Sequence, residues 1–336
     1  MLPTISVVMS VYNDAEFLPE SVESILSQDF ADFEFIIVDD GSTDETPTYL
    51  SSLADPRLRI ISQPNRGLAS ALNTGIQAAC GTFIARQDAD DVSLPNRLSM
   101  QLSCFNSHRE FDLLGSGAIT MTTAGRTIRK HHYACAHDKI CRLLYERITP
   151  FVHASIMFRR AAALSIGGYD AHYRVAEDYD FYLRFIERFR VSNVPEALVK
   201  LRLRLDSVQG RSSLSAKEVA FARYVASLRL RRYPKVDDPA WIWAELFPRF
   251  DAWFARSPMS RNAELRRGIR RAVLLAYHRR HLQALTLLCR IASARPVEFA
   301  GAAVRRGQNW TLEIERNIDS AVLLEATHDP VSRLEK

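Results

Sequence analysis

Four short apolar runs in the first 91 residues each break off into polar or acidic residues. "ISVVMSVY" runs into Asn13 and Asp14, "FEFIIVDD" into Gly41 and Ser42, "RLRIIS" into Gln63–Gly67, and "TFIARQD" into Asp90 and Asp91. Near-continuous apolar runs of this length suit strands covered on both faces. The segments between them have helical spacing. "AEFLPESVESILSQ" places Phe17, Val22, Ile25 and Leu26 on one stripe, with Asn13 or Asp14 as its cap. A second helix is expected near "ETPTYLSSL", and a third over "GLASALNTGIQAAC", ended by Gly81. Parallel neighbours need a crossover connection, so strand–helix alternation predicts a doubly wound α/β sheet.

The pattern changes near Asp112. "DLLGSGAITMTTAGRTIRK" reads as strands joined by a glycine turn, which makes the sheet mixed. A short helix around "DKICRLLYERI" and an irregular stretch follow. "AEDYDFYLRFIERF" spaces Tyr179, Tyr182, Leu183 and Ile186 as a helix does, and "VSNVPEALVKLRLRL" reads as closing strands. Beyond Ser213 the chain reads as helical, punctuated by Pro234, Pro239 and Pro248. The expected organisation is an α/β domain over residues 1–212 and a helical region over 213–336.

Charge divides the chain in the same way. Residues 1–120 hold six arginines, no lysine and 17 acidic residues, a net −11, whereas the remainder carries +16. Such an imbalance implies different tasks for the two parts. The five cysteines (Cys80, Cys104, Cys135, Cys141, Cys289) are odd in number and form no CxxC pair. Free thiols in a reducing, cytoplasmic compartment are expected, without a zinc site. The N-terminus lacks a basic region before its apolar run and reads as a first strand. No stretch approaches the ~20 apolar residues needed to span a bilayer.

Ligands of open parallel sheets sit at the carboxyl ends of the strands, near the switch in strand order. Here those ends carry Ser10-Val11-Tyr12-Asn13, Asp39-Asp40-Gly41-Ser42, Gln63 to Gly67, and Asp88-Ala89-Asp90-Asp91. No GxGxxG follows the first strand and no GxxxxGK[ST] occurs, which argues against dinucleotide and P-loop chemistry. The carboxylates of Asp88, Asp90 and Asp91 repel one another. They suit either a solvated helix entry or a cation site. Glu177-Asp178, after the Gly167-Gly168 turn, is either an acidic helix start favoured by the dipole or a functional pair.

Three segments, "SVVMSVYNDAEFLPESVESILSQDFADFEFIIVDDGSTDET", "NRGLASALNTGIQAACGTFIARQDADD" and "GGYDAHYRVAEDYDFYLR", resemble family 2 glycosyltransferases of GT-A fold. The resemblance runs in order over roughly residues 4–210. It implies transfer of a sugar from a nucleotide-diphospho-sugar, a UDP-sugar first, to a glycan or lipid-linked acceptor in bacterial surface polysaccharide or glycolipid assembly. Ser10, Tyr12, Asp40, Arg66, Asp88 and Asp90 then fall on the donor: Tyr12 offers a face to the base, Asp40 meets the nucleoside, and Asp88 the ribose. Asp39 supports the turn. The acidic motif implies Mn²⁺ or Mg²⁺ held by Asp90 and Asp91, with the cation acting on the leaving diphosphate. Asp178 becomes the general base of an inverting transfer, and Glu177 orients the acceptor or supports the turn. His153 is a structural residue or a contact to acceptor or phosphates.

One departure stands out. Many relatives close the domain with an R-x-H stretch, and "LRLRLDS" places Arg204 at the histidine; an arginine cannot ligate a metal but can neutralise phosphate. The Q-x-x-R-W signature of processive synthases is missing, which fits one sugar per encounter. A nucleotidyltransferase would show a Gly-rich loop with Arg and Lys after its first strand, and "SVYNDAEF" has neither. An inactive sugar-nucleotide-binding module is the other alternative, opposed by the intact Asp90, Asp91 and Asp178.

Residues 210–310 hold 20 Arg or Lys against seven acidic residues, and "RNAELRRGIRRAVLLAYHRRHLQALTLLCRIASA" sets arginine pairs among apolar residues. This is either a helical bundle with a solvated basic face or a peripheral contact with the anionic inner face of a membrane, Trp241, Trp243, Phe247 and Trp253 lying at the interface. No recognised motif supports nucleic-acid binding.

Overall fold

The computed structural model describes residues 2–146, 148–204, 214–230, 232 and 235–256, with 283, 286, 287, 290 and 291 beyond them. Two compact units result, Met1–Arg202 and Leu203–Lys336. The sequence-based boundary at 212/213 and Pro234 fall outside the described residues.

The first unit is built on a mixed sheet. β1 (Ile5–Val11), β2 (Phe33–Asp39), β3 (Leu58–Ser62) and β4 (Phe83–Asp88) are parallel, in the order β3-β2-β1-β4. Three short helices make the crossovers: α1 (Leu18–Leu26), α2 (Thr46–Ser51) and α3 (Leu68–Ala78). The order reverses between β1 and β4, so the switch point lies at the ends of those two strands. Register pairs Val11 with Asp39, Asp39 with Ser62, and Ser10 with Asp88, which brings all four polar strand ends to one edge.

Beyond β4 the sheet turns antiparallel. β5 (Val92–Ser93), β6 (Phe111–Thr122), β7 (Thr127–His131), β8 (Met157–Arg159) and β9 (Arg190–Leu203) extend the order through β8-β6-β9-β5, with β7 on β6. α4 (Arg97–Ser107), α5 (His137–Tyr145), α6 (Arg160–Ser165) and α7 (Glu177–Ile186) complete the unit. One core gathers Val7, Met9, Leu18, Val22, Ile25, Phe35, Ile37, Leu98 and Phe105 between the sheet and α1 and α4.

Several local expectations are corrected. α1 starts at Leu18, with Pro19 in its first turn and no side-chain cap. Asn13, at φ +51°, instead spends Oδ1 on the backbone N–H groups of Thr43 (2.7 Å) and Asp44 (3.3 Å), tying the first loop to the second. α3 stops at Ala78, where Ala79 turns extended before Gly81 is reached. The closing "strands" are one strand of 14 residues, because Pro195 lies at an exposed point of β9. The irregular stretch hides the three-residue β8, which pairs antiparallel with β4 and, through Met157 and Phe158, with β6.

In the second unit, the described helices are Leu214–Leu230 and Phe247–Arg256, joined through Pro239–Trp241 and a π-helical turn at Ile242–Leu246. Phe221 is fully buried and packs on Trp243, Phe247 and Phe250 at ring distances of 5.3, 4.8 and 5.2 Å. Trp253 lies 5.5 Å from Phe250. Trp243, Phe247 and Trp253, each half-buried, thus take part in an aromatic cluster around the buried Phe221 and Phe250. Most of the arginine-rich tract from 261 to 295 lies outside the described residues. No helix among the described residues is long and apolar enough to cross a membrane.

Candidate active site

The site is the edge where β1, β2, β3 and β4 end. After β1, Ser10 is half-buried and Tyr12 stands 50 % exposed, its ring free to present a flat face. After β2, Asp39 is buried and Oδ1 accepts the N–H of Ser42 at 3.0 Å, so it holds the turn. Asp40 is also buried. Its Oδ1 accepts from Gln63 Nε2 (2.7 Å) and Arg66 N (3.0 Å), and Oδ2 accepts from Gly67 N (2.8 Å). Asp40 thus moulds the loop that leads into α3, and Arg66 extends an exposed side chain from that loop.

The acidic loop after β4 is fixed from below. Ser21 Oγ donates to the Asp88 carbonyl (2.8 Å), and Gln87 Nε2 donates to the carbonyls of Asp88 (3.1 Å) and Asp91 (2.9 Å). Beneath them lies Arg97, with no exposed surface. Its guanidinium donates to Gln87 Oε1 (2.8 Å), Ser93 Oγ (2.9 Å) and the carbonyls of Arg86 (2.6 Å) and Ile156 (3.3 Å). Burial among neutral acceptors, with Arg86 close by, pushes its pKa down to about 9, while Asp91 and Asp88 oppose the shift.

From above, Arg202 at the end of β9 closes the loop. Its backbone N–H reaches Asp91 Oδ1 (2.8 Å), its Nε the Asp90 carbonyl (2.8 Å), and its Nη1 the Thr123 carbonyl (2.8 Å). Nη2 pairs with Glu20, and the guanidinium lies 4.6 Å over the Phe17 ring. Asp91 is buried, and burial raises its carboxyl well above the ordinary range; the charges of Asp90 and Asp88 add to the shift. Asp90 is half-buried.

Glu177 and Asp178 open α7. Asp178 Oδ1 accepts the N–H of Tyr179 at 2.6 Å. Burial raises the Asp178 carboxyl to about 6; Asp88 adds to the rise, against the Tyr179 N–H and the Arg86 cation. Glu177 is buried. Arg86, 2 % exposed in mid-β4, pairs with Asp88 and lies within electrostatic range of Asp178, His153, Tyr169 and Tyr182. Burial opposes its charge, but Asp88 more than offsets that and keeps the guanidinium protonated. His153 Nε2 lies 2.9 Å from the Tyr169 hydroxyl, and burial with the nearby Arg86 holds its pKa well below the ordinary value. His153 is therefore neutral near pH 7. Arg204 follows β9, half-buried, and belongs to the second unit.

The structure brings Ser10, Asp39, Asp40, Asp88, Asp90 and Asp91 to one sheet edge, with Asp178 on the antiparallel side of the same unit. Arg86, Arg97 and Arg202 were not foreseen. A charged residue inside the apolar run "TFIARQD" is the signal for Arg86, and the R-x-H-like stretch in "LRLRLDS" puts Arg202 at its arginine; "LPNRL" gives none for Arg97.

Among the described residues, no group of three or more His, Cys, Asp or Glu is placed to hold a metal ion by itself. The donor set is oxygen only, with two acidic side chains at positions 90 and 91. This suits a hard cation that takes one or two carboxylates and completes its shell with phosphate and water.

A family model described as glycosyl transferase family 2 matches residues 6–167. EpsE of Bacillus subtilis (strain 168), which carries the name of a glycosyltransferase, is 36% identical over 236 residues, covering 68% of this chain and 84% of EpsE. The O-antigen biosynthesis glycosyltransferase WbnJ of Escherichia coli is 32% identical over 226 residues, covering 66% of this chain and 87% of WbnJ. Among solved structures, S. aureus TarS 1–349 in complex with UDP-GlcNAc superposes with a TM-score of 0.59 at 17% identity, over 97% of this chain and 92% of TarS. The mannosyltransferase PcManGT from Pyrobaculum calidifontis, in complex with GDP-Man and Mn²⁺, gives 0.56 at 18%, over 98% and 89%. Their shared architecture is the GT-A fold. The family match and these relatives show that the chain belongs to glycosyl transferase family 2 and is a glycosyltransferase.

Proposed function

We propose that this glycosyltransferase is metal-dependent and inverting, and moves one sugar per encounter from a nucleotide-diphospho-sugar, a UDP-sugar first, to an acceptor hydroxyl. Residues 1–212 carry the chemistry. Ser10, Tyr12, Asp40, Arg66 and Asp88 bind the donor, with Arg66 reaching its base or phosphates. Asp90 and Asp91 hold Mn²⁺ or Mg²⁺, which when bound neutralises the departing diphosphate. The supporting neighbours bind UDP-GlcNAc in one case and GDP-Man with Mn²⁺ in the other. A relative named for O-antigen biosynthesis supports a place in surface polysaccharide or glycolipid assembly.

Asp178 is the base. Its carboxylate takes the proton of the acceptor hydroxyl as that oxygen bonds to the anomeric carbon; the bond from that carbon to the diphosphate oxygen breaks, and the diphosphate leaves with the electron pair. One displacement inverts the centre. A carboxyl held at about 6 is ionised near neutral pH yet basic enough to accept a proton in the transition state. Arg86 is paired with Asp88 and acts on Asp178 electrostatically. Glu177 supports the start of α7, and His153 and Arg204 are the reserve contacts for acceptor and phosphates.

The single observation that carries this reading is the Arg86–Asp88 ion pair at the acidic loop, with both charges within electrostatic range of Asp178. Its test is a panel of UDP- and GDP-sugars, assayed for nucleoside diphosphate release with and without Mn²⁺. Metal-stimulated release with one or more donors, lost in Asp178→Asn, supports the proposal. Release independent of metal sinks the metal role, and the absence of release with any donor sinks the transfer chemistry. The second region, from 213, is proposed to hold the enzyme at the anionic inner face of the membrane.

A further inference from the structure

Two helices that lie far apart in sequence are joined through one turn. Asn73, in the second turn of α3, makes two hydrogen bonds to the backbone of Tyr169. Its Oδ1 accepts the Tyr169 N–H at 2.8 Å, and its Nδ2 donates to the Tyr169 carbonyl at 2.7 Å. The backbone N–H admits only an acceptor and the carbonyl only a donor, so an amide side chain of this length matches the pair. Gly168 permits the approach: at φ +69°, a Cβ there would come to 2.5 Å from Asn73 Oδ1.

The same turn is held from its other side by α7. Arg184 Nη1 donates to the carbonyls of Ile166 and Gly168, each at 2.7 Å, while its Nη2 pairs with Asp180 at 2.7 Å. Tyr169 then reaches back into the site. It is 2 % exposed, its ring stacks on Phe181 of α7 at 4.4 Å, and its hydroxyl meets His153 Nε2. α3 is preceded by Gly67, whose N–H is bound by Asp40, and Gly75 seats the helix closely on Val8 of β1. One end of the linkage is thus anchored at the nucleotide edge and the other in the helix that carries Asp178.

We infer that Asn73 is a positioning residue for the reaction: by clamping Tyr169 it fixes the start of α7, and so Asp178, against the donor edge. The inference rests on Asp178 being the base. The clamp touches no reacting atom and acts only through the Gly167–Tyr169 turn. A displacement of about 1 Å at a reacting group can cost ~10²-fold in rate. Loss of the clamp therefore lowers turnover while leaving the nucleotide edge intact, since Asp40, Gly67 and the loop 88–91 make none of these bonds.

The test uses Asn73→Ala and, as an independent route to the same turn, Gly168→Ala, in the full chain. The probe is the UDP- or GDP-sugar that the wild-type protein hydrolyses with Mn²⁺. Expected are a ~10- to 100-fold lower kcat for nucleoside diphosphate release, an affinity for that nucleoside diphosphate with Mn²⁺ within about threefold of wild type, and faster amide exchange over 167–178 but not over 67–72. Asn73→Asp, which keeps the acceptor and loses the donor, should also be slow. Wild-type kcat in both Asn73→Ala and Gly168→Ala would overturn the clamp while leaving Asp178 in place, provided Asp178→Asn is inactive. Equal losses in kcat and nucleotide affinity would make Asn73 a general structural residue and overturn the inference as well. Wild-type turnover in Asp178→Asn would instead remove the base, and with it the role given to the clamp.

Discussion

The backbone N–H of Arg202 reaches Asp91 Oδ1 at 2.8 Å across 111 positions of sequence. The last strand of the sheet thereby fixes the acidic loop that follows the fourth. The Arg202 side chain adds the Asp90 and Thr123 carbonyls and pairs with Glu20, so four segments of the unit meet at one guanidinium.

Arg202→Ala keeps the backbone bond but releases the side-chain clamp. Groups that orient metal ligands typically contribute 10- to 100-fold to metal affinity. Arg202→Ala should therefore weaken Mn²⁺-dependent binding of the nucleoside diphosphate by roughly tenfold or more. Arg202→Lys should rescue it poorly, because an ammonium lacks the planar fork that serves both carbonyls and Glu20. Calorimetric titration with Mn²⁺ present checks this, and an unchanged Kd in both variants would remove Arg202 from the support of the loop.

Asp90→Asn should abolish the metal-dependent part of donor binding and leave the fold unchanged. A bound ligand raises apparent stability, so the thermal shift given by nucleoside diphosphate with Mn²⁺ should fall to that seen without the metal. A full Mn²⁺-dependent shift in this variant would move the metal site elsewhere.

Asp178→Asn should keep nucleotide binding and lower turnover by roughly 10²–10⁴-fold, the usual contribution of a positioned base. The wild-type rate carries a sign that follows from the raised pKa. Below about 6 the carboxyl is protonated and cannot accept a proton, so kcat/KM should rise with pH through about 6 and level off above it. Asp178→Asn should lose that limb from its residual rate. A wild-type profile without the limb would assign the base to another group, Glu177 first.

Gly75→Ala sets two effects against each other. Alanine favours a helix interior over glycine by ~1 kcal/mol. A Cβ at Gly75, however, would fall inside contact distance of Val8 Cγ1, on a buried strand and a stiff side chain. Overpacking of this kind costs about 1–3 kcal/mol. The steric effect should win, and Gly75→Ala should lower Tm; a raised Tm would show that α3 can lift from β1 at little cost.

The full chain should co-sediment with anionic vesicles at low salt and leave them at high salt. The range of exposed charges shrinks from ~10 Å at 0.1 M to ~3 Å at 1 M. Because Trp243 and Trp253 pack in the aromatic cluster around Phe221 and Phe250, the attraction should depend on charge more than on aromatic insertion. Equal binding to neutral vesicles would contradict that, and no binding to either would leave the basic region a solvated face.

Residue pattern alone makes the parallel half of the sheet legible, along with the edge where the acidic residues gather. Strands covered on both faces are largely apolar, so β1, β2 and β4 are visible as runs, and their acidic clusters fall where the runs end, with Arg86 the buried exception inside β4. How those charges are held follows instead from which elements meet in space. β8 has three residues, too few for any periodicity, yet it turns the sheet antiparallel between β4 and β6. Asn13 bonds to another loop in place of capping its own helix. Arg97 reads as an ordinary helix start, but it is fully buried and bonds to the carbonyl of Ile156, 59 positions away. Arg202 finds Glu20 at 182 positions and Asn73 finds Tyr169 at 96. Periodicity records which face of an element avoids water. The partner that satisfies a buried charge or amide is set by which elements meet in space, and no local pattern encodes that meeting.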